Sequence, residues 1–542
     1  MDYFLIPSAK CAPDNLPNYG FVPMILYPVN GHTLLHYLFK EKCKTIIVGY
    51  EQVKLIEEHL KKKKYKDVNL ISLNSIKDLG YSIYCALKTL FFTDKDAIII
   101  NFADTLVDIN SFDYDYISYT DQSRGDTKKW AYINEHNGRI ISYINKDEVN
   151  DSGLKLFVGN FRINHPNFFV ECFKNLKFDG NSLFDALKSY SQKYPFKFVK
   201  VNKWLDFGHP SDYFDSQISV KAREFNHISF DKNRGILRKT SDDKEKFKGE
   251  IEWYLKLPNS LKYVSPRIFN YSIDFNNIFV DMEFYSYPTL LELYLYGDLS
   301  NYEWKKIFDK ILFILKDFSS YTVTNCKIKD SLIDMYYTKT VDRLNMMRDI
   351  KQFKKFFEKN IVVNNKQFLN LDKIIKIMKS VVNDNLLNAK EFCIIHGDMC
   401  FANMLIDDKH NFLKLIDPRG KFGDFDIYGD QRYEIAKLFH SVDGKYDYII
   451  KDLFEISVVD NSINYRIFDS HNSSLFDIMK ISLNDIIKEH IAEIEIIEAL
   501  LFLSMIPLHS ENINHQYAML ATGLEILNRH INIEIKGGSK ND

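Results

Sequence analysis

Four polar side chains, His396, Asp398, Asn403 and Asp417, fall within 22 positions of one another among short apolar runs, Ile394-Ile395, Met404-Leu405-Ile406 and Leu413 to Ile416. Runs of this length read as buried strands, so the polar atoms collect at strand ends. Phosphoryl transfer from ATP needs a carboxylate to orient the attacking hydroxyl. It also needs an amide and a second carboxylate to hold magnesium on the phosphates. Asp398, Asn403 and Asp417 supply that set.

The His-x-Asp-x4-Asn spacing is that of a kinase catalytic loop, and Asp417 falls where the metal aspartate of the next strand belongs. The stretch resembles the aminoglycoside phosphotransferase and choline kinase family, whose loop reads His-Gly-Asp, as His396-Gly397-Asp398 does here. The resemblance implies that Asp398 is the catalytic base, that Asn403 and Asp417 bind Mg2+, and that His396 is a structural brace. A strand lysine braced by a helix glutamate is the small-lobe device of kinases. Lys239 and Glu250 are the expected pair, with Arg238 and Glu252 close enough to serve instead. The strand Phe279 to Phe284 is expected at the hinge between lobes. Only about ten residues separate Gly420 from the helix that Asp430 and Glu434 open, too few for the peptide-holding segment that protein kinases end in Ala-Pro-Glu. A small-molecule alcohol is therefore the expected acceptor.

The first 222 residues alternate short apolar strands with amphipathic helices. Strands are expected at Leu5-Ile6, Thr45 to Val48, Val68 to Ser72 and Ala97 to Asn101, with helices at Leu34 to Lys42, Val53 to Lys62 and Ile83 to Leu90. Such alternation predicts a parallel sheet with helices on both faces, and ligands bind beyond the carboxyl ends of such strands. Tyr27-Pro28-Val29-Asn30-Gly31, the strand end at Asp104 and Trp204-Leu205-Asp206-Phe207-Gly208 resemble, in order and spacing, the sugar-1-phosphate nucleotidyltransferases, a group that includes choline-phosphate cytidylyltransferases. The resemblance implies that Asp104 and Asp206 hold magnesium. It places Ser8, Ala9 and Lys10 after the first strand and Gly80 against a nucleotide, CTP or another nucleoside triphosphate. The family's Gly-x-Gly-x-Arg phosphate loop is missing, and Met24 stands where the family has a lysine. A binding module without catalysis is the alternative for this part of the chain.

The fold class expected is α/β plus α+β. A Rossmann-like nucleotidyltransferase domain occupies residues 1–222. A bilobal protein-kinase-like domain follows, with a small lobe at 223–288 and a large lobe at 289–535, and a loose tail covers 536–542. Apolar residues at 46% and charged residues at 27% are ordinary globular usage. A formal net charge of −2 gives no basic footprint for nucleic acid, and the run Lys61 to Lys64 reads as the solvated face of a helix. Seven cysteines without metal spacing favour reduced thiols and a cytoplasmic setting. The apolar stretch from Ile496 to Leu508 contains Glu498 and Pro507 and is too short to span a bilayer, so no membrane partner is expected. The expected reaction sequence phosphorylates an alcohol, choline- or ethanolamine-like or a sugar, with ATP. It then couples the phosphate to a nucleotide, for decoration of a surface polysaccharide or lipid. A homodimer is an open expectation.

Overall fold

The computed structural model describes residues 2–13, 16–17, 19–40, 43–109, 112–121, 127–149, 153–224, 227–407, 412–469 and 474–535. The expected tail at 536–542 lies outside them. The chain divides into two compact units, residues 1–224 with 296–298, and residues 225–295 with 299–542.

In the N-terminal unit, four parallel strands run in the order Ala97–Asn101, Asp2–Ser8, Lys44–Gly49 and Val68–Ser72. The near-continuous apolar runs of the first three suit a sheet covered on both faces, and Leu5, Ile46, Val48, Ile98 and Ile100 lie in its core, whereas the edge strand Val68–Ser72 is only partly buried. The sheet is mixed rather than wholly parallel, because Lys155–Ile163 pairs antiparallel with Ala97–Asn101. A hairpin, Ala131–His136 with Arg139–Asn145, extends that edge. Asn137 and Gly138 turn it with φ of 52° and 78°, the left-handed pair that matches strand twist in a two-residue connection. The first helix is shorter than expected, Leu34–Leu38, while the second, Val53–Lys63, carries Lys61, Lys62 and Lys63 in its last turn, where positive charge meets the negative end of the helix.

The C-terminal unit begins with an antiparallel sheet ordered Ile228–Asp231, Ile236–Lys239, Phe279–Glu283 and Ile268–Ser272. Between its second and third sequential segments lies the helix Lys244–Lys256, capped by the Asp243 carboxylate, which accepts from Lys246 N. The remainder is mainly helical. Asn301–Ser319 starts with a full capping box between Ser300 and Glu303. Ile491–Met505 and Ile513–Leu527 are almost wholly buried and pack on each other. Among the described residues no helix is long and apolar enough to cross a membrane. All seven cysteines are free thiols.

Candidate active site

In the C-terminal unit, the strand Phe392–Ile394 delivers the loop that carries His396 and Asp398. The hairpin Met404–Asp407 with Phe412–Leu415 places Asn403 before its first strand and Asp417 just beyond its second. Two outside groups hold the loop. Glu434, from the helix Gln431–Val442, accepts from the backbone N–H of His396 and of Gly397, both at 2.8 Å. Trp253, from Lys244–Lys256, donates its indole N–H to the Ile395 carbonyl at 2.7 Å. Burial pushes Glu434 up to about 7, against the pull of those two N–H groups. It pushes His396 down to about 4, so this ring is neutral and packs edge-on against Trp253.

Lys239 Nζ donates to both oxygens of Glu250, at 2.8 and 2.9 Å, and to Asp417 Oδ1 at 2.8 Å. The alternative pair does not form. Side chains alternate across a strand, and Arg238 instead grips Asp281 on the neighbouring strand at 2.6 and 2.7 Å. Glu252 pairs with Lys256. Burial pushes Glu250 up to about 7, with the Asp417 charge adding to the effect. Burial alone would lower Lys239, but Asp417 and Glu250 outweigh it and keep the ammonium charged. Asp417 has φ of +58° and its N–H donates to Tyr254 Oη at 3.1 Å. Gly420, at φ +68°, lies so close to the Gly249 carbonyl that a Cβ there would overlap it. The helix and the loop can approach only with glycine at this point.

Asn403 Nδ2 donates to the Asp398 carbonyl at 2.9 Å and to Asp398 Oδ2 at 3.1 Å. Its amide oxygen remains as a hard donor, and with Asp417 it makes an oxygen set of the kind magnesium takes. Lys437 lies 2.9 Å from Asp398 Oδ1. Burial pushes the Asp398 carboxyl up, but Lys437 outweighs it and holds the group well below the usual carboxylate range. These side chains line a cavity of about 990 Å³. Lys339, Arg343, Arg419 and Tyr433 line it as well.

In the N-terminal unit, Asp206 ends the strand Trp204–Asp206, which pairs with Thr105–Val107 so that Asp206 faces Thr105, the neighbour of Asp104. Asp104 and Asp206, 102 positions apart in sequence, are thus brought together through one two-stranded ladder. Asp206 accepts from Gly208 N at 2.6 Å and contacts His209 Nδ1 at 2.9 Å. A Cβ at Gly208 would overlap Asp104 Oδ2. Burial, and then the Asp206 charge, push Asp104 up to about 6. Two carboxylates so placed disfavour joint ionisation unless a cation joins them, so the donor set fits a divalent metal. Ser8 ends the strand Asp2–Ser8 and Ala9 and Lys10 follow it, so the expected position of Ser8 beyond the strand is corrected by its pairing with Gly49. The carboxyl end of this strand shares an edge with that of Ala97–Asn101 because the two strands are parallel. Ser8 Oγ accepts from Ile25 N at 3.0 Å, Ala9 O from Glu51 N, and Lys10 O from Met24 N. Gly80 sits near the start of the helix Leu79–Lys88 against Ser182, where a Cβ would overlap Ser182 Oγ.

Lys437, Glu434 and His209 carry no motif. Their only sequence signal is position: Glu434 and Lys437 stand three apart on the helix that Asp430 caps, and on a helix such positions share one face.

No family model matches the chain. It is 28% identical over 152 residues to guanylate cyclase beta of Plasmodium berghei, a match that covers 27% of this chain, and the chain spans only 5% of that protein's length. The inositol-1-phosphate CTP transferase of T. maritima matches 40% of this chain and 96% of its own, at 14% identity and a TM-score of 0.33. HddC from Yersinia pseudotuberculosis matches 41% and 100%, at 17% identity and 0.31. An apo UDP-glucose pyrophosphorylase matches 42% and 100%, at 15% identity and 0.34. These similarities are partial, and none carries a functional assignment by itself.

Proposed function

We propose that the C-terminal unit phosphorylates a small-molecule alcohol with ATP and that the N-terminal unit couples the resulting phosphate to a nucleoside triphosphate. The observation that carries the first half is the bridge of Lys239 to Glu250 and Asp417, beside Asp398 and Asn403, in one cavity built from separate segments of the chain. Magnesium held by Asn403 and Asp417 would neutralise phosphate charge. Lys239 is placed to meet phosphate oxygens, and Glu250 fixes its direction. Asp398 accepts a hydrogen bond from the acceptor hydroxyl. Held low by Lys437, it is a weak base, so its work is to orient the hydroxyl and take the proton late, which a loose phosphoryl-transfer transition state requires of it. Glu434 keeps the loop in register by binding two successive backbone N–H groups.

For the N-terminal unit, the paired Asp104 and Asp206 support metal-assisted nucleotide transfer with loss of pyrophosphate. CTP is the first nucleotide to try and the others follow. A choline-like, ethanolamine-like or sugar acceptor and a role in surface polysaccharide or lipid decoration complete the proposal. The deciding experiment supplies the intact protein with ATP, magnesium and an alcohol, then adds each ribonucleotide in turn. Phosphorylated alcohol followed by pyrophosphate supports both halves. Phosphorylation without pyrophosphate makes residues 1–224 a binding module.

A further inference from the structure

The acceptor side of the cavity carries an excess of positive charge that the four-residue chemistry does not use. Lys339 and Arg343 stand one turn apart on the helix Lys339–Met346, where like charges repel. Arg419 enters from the loop after Asp417 and donates to Tyr433 Oη at 2.9 Å. Lys339 Nζ lies 5.6 Å from the Tyr433 ring centre, and Arg343 is anchored by a bond to the Ser504 carbonyl at 3.2 Å. All four side chains line the cavity that holds Asp398.

Among the described residues, no carboxylate lies within ion-pair distance of Lys339, Arg343 or Arg419. The neighbouring carboxylate Asp398 is taken by Lys437. Burial pushes Lys339 down to about 8, and Arg419 and Arg343 push the same way. Tyr433 is brought down to about 7 although burial opposes this, because Lys339, Arg419 and Lys437 surround it. Three half-buried cations without a carboxylate partner, sharing only the Tyr433 hydroxyl among them, are costly to hold together. They share no partner with Lys239, which is satisfied by Glu250 and Asp417 on the nucleotide side.

Resting on the reading of this cavity as a phosphotransferase site, we infer that the acceptor alcohol carries an anionic group, phosphate or carboxylate, which Lys339, Arg343 and Arg419 bind while Asp398 receives its hydroxyl. A guanidinium matches either anion through two parallel N–H bonds. A quaternary ammonium such as choline, or a protonated ethanolamine, would meet three like charges instead. Of the acceptors proposed above, the cluster therefore favours a sugar that carries an acid or phosphate group, and with it other hydroxy acids and phosphorylated alcohols.

The test titrates the full-length protein with inorganic phosphate and, in parallel, with acetate. Saturating magnesium and a non-hydrolysable ATP analogue are present, so the triphosphate positions are filled. Wild-type protein should bind at least one of the two anions. The double variant Lys339→Met/Arg343→Met should lose that affinity by about tenfold or more, the scale of hydrogen bonds to charged groups, with analogue affinity changed less than about twofold. Lys339→Arg/Arg343→Lys should retain anion binding, which separates lost charge from lost folding. Anion binding absent from wild type, anion binding equal in wild type and the methionine variant, or a parallel loss of analogue affinity would overturn the inference. If the analogue itself fails to bind, the phosphotransferase reading falls, while the anion titrations still decide whether the cluster is a site.

Discussion

Replacing Lys239 by methionine removes the cation from between Glu250 and Asp417 while keeping most of the side-chain volume. Lys239 and Glu250 are 20% and 10% exposed in their side chains, whereas Asp417 is 51% exposed, so the Asp417 contact is screened and adds little to stability. Stranding one member of a buried pair costs about 3 kcal/mol or more if the charge must remain. Glu250 escapes part of that cost by taking up a proton, since burial and Asp417 already hold it at about 7. A net loss of about 2 kcal/mol at pH 7.5 is therefore expected, or about 4 °C in the melting of the C-terminal unit at some 2 °C per kcal/mol. The sign with pH follows from the raised carboxyl. A group whose folded pKa lies above its unfolded value gives stability that is present below the unfolded pKa and lost as pH rises through the folded one. Without Lys239 the Glu250 pKa rises further, so the deficit of the variant should be largest above pH 7 and shrink towards pH 5. Scanning calorimetry of wild type and Lys239→Met at pH 5, 6, 7 and 8 reads this directly. Equal melting at pH 8, or a deficit that grows towards pH 5, would refute the reasoning.

Asp417→Ala should weaken binding of the magnesium–ATP complex by at least about tenfold, on the scale of one lost charged ligand, and calorimetric titration showing unchanged affinity would remove Asp417 from the metal. Asp104→Ala and Asp206→Ala should each abolish pyrophosphate release while leaving ATP-dependent phosphorylation intact, which a coupled pyrophosphate assay beside a phosphorylation assay will read. Asp104 is held at about 6 by burial and Asp206, so stabilisation of the N-terminal unit by magnesium should be full at pH 7.5 and fade below pH 6 as that carboxyl takes up a proton. A magnesium-induced melting shift that is the same at pH 5 and pH 7.5 would count against Asp104 as a ligand.

The stretch from His396 to Asp417 was readable because its spacing is local, and short apolar runs fix where each polar group emerges. The strands at Thr45 to Val48 and Ala97 to Asn101 were legible from continuous β-branched and aliphatic runs, and Val68 to Ser72 from a shorter run broken by Asn69. Whether Lys239 or Arg238 faces Glu250 was not legible, since neighbours on a strand differ only in which face they take and register decides it. The mixed sheet was missed at Asn137-Gly138, a turn signal that lies between runs interrupted by polar residues. Lys437, Lys339 and Arg343 were beyond reach for a different reason. They come to the cavity from helices 20 or more positions away from the motif, and a lysine or arginine on an amphipathic helix reads as solvated surface until packing turns it inward.

The most direct measurement gives the intact protein magnesium, ATP and a panel of neutral, cationic and anionic hydroxyl compounds, and follows phosphorylated products by mass spectrometry for wild type and Asp398→Asn. The expected result is transfer to at least one compound by wild type. The variant should show a kcat lower by about 100-fold or more, the usual contribution of a positioned base, with ATP affinity little changed because Asn403 and Asp417 remain. Near-normal turnover by Asp398→Asn, or no phosphorylated product from any compound with wild type, would contradict the assignment of this cavity to phosphoryl transfer.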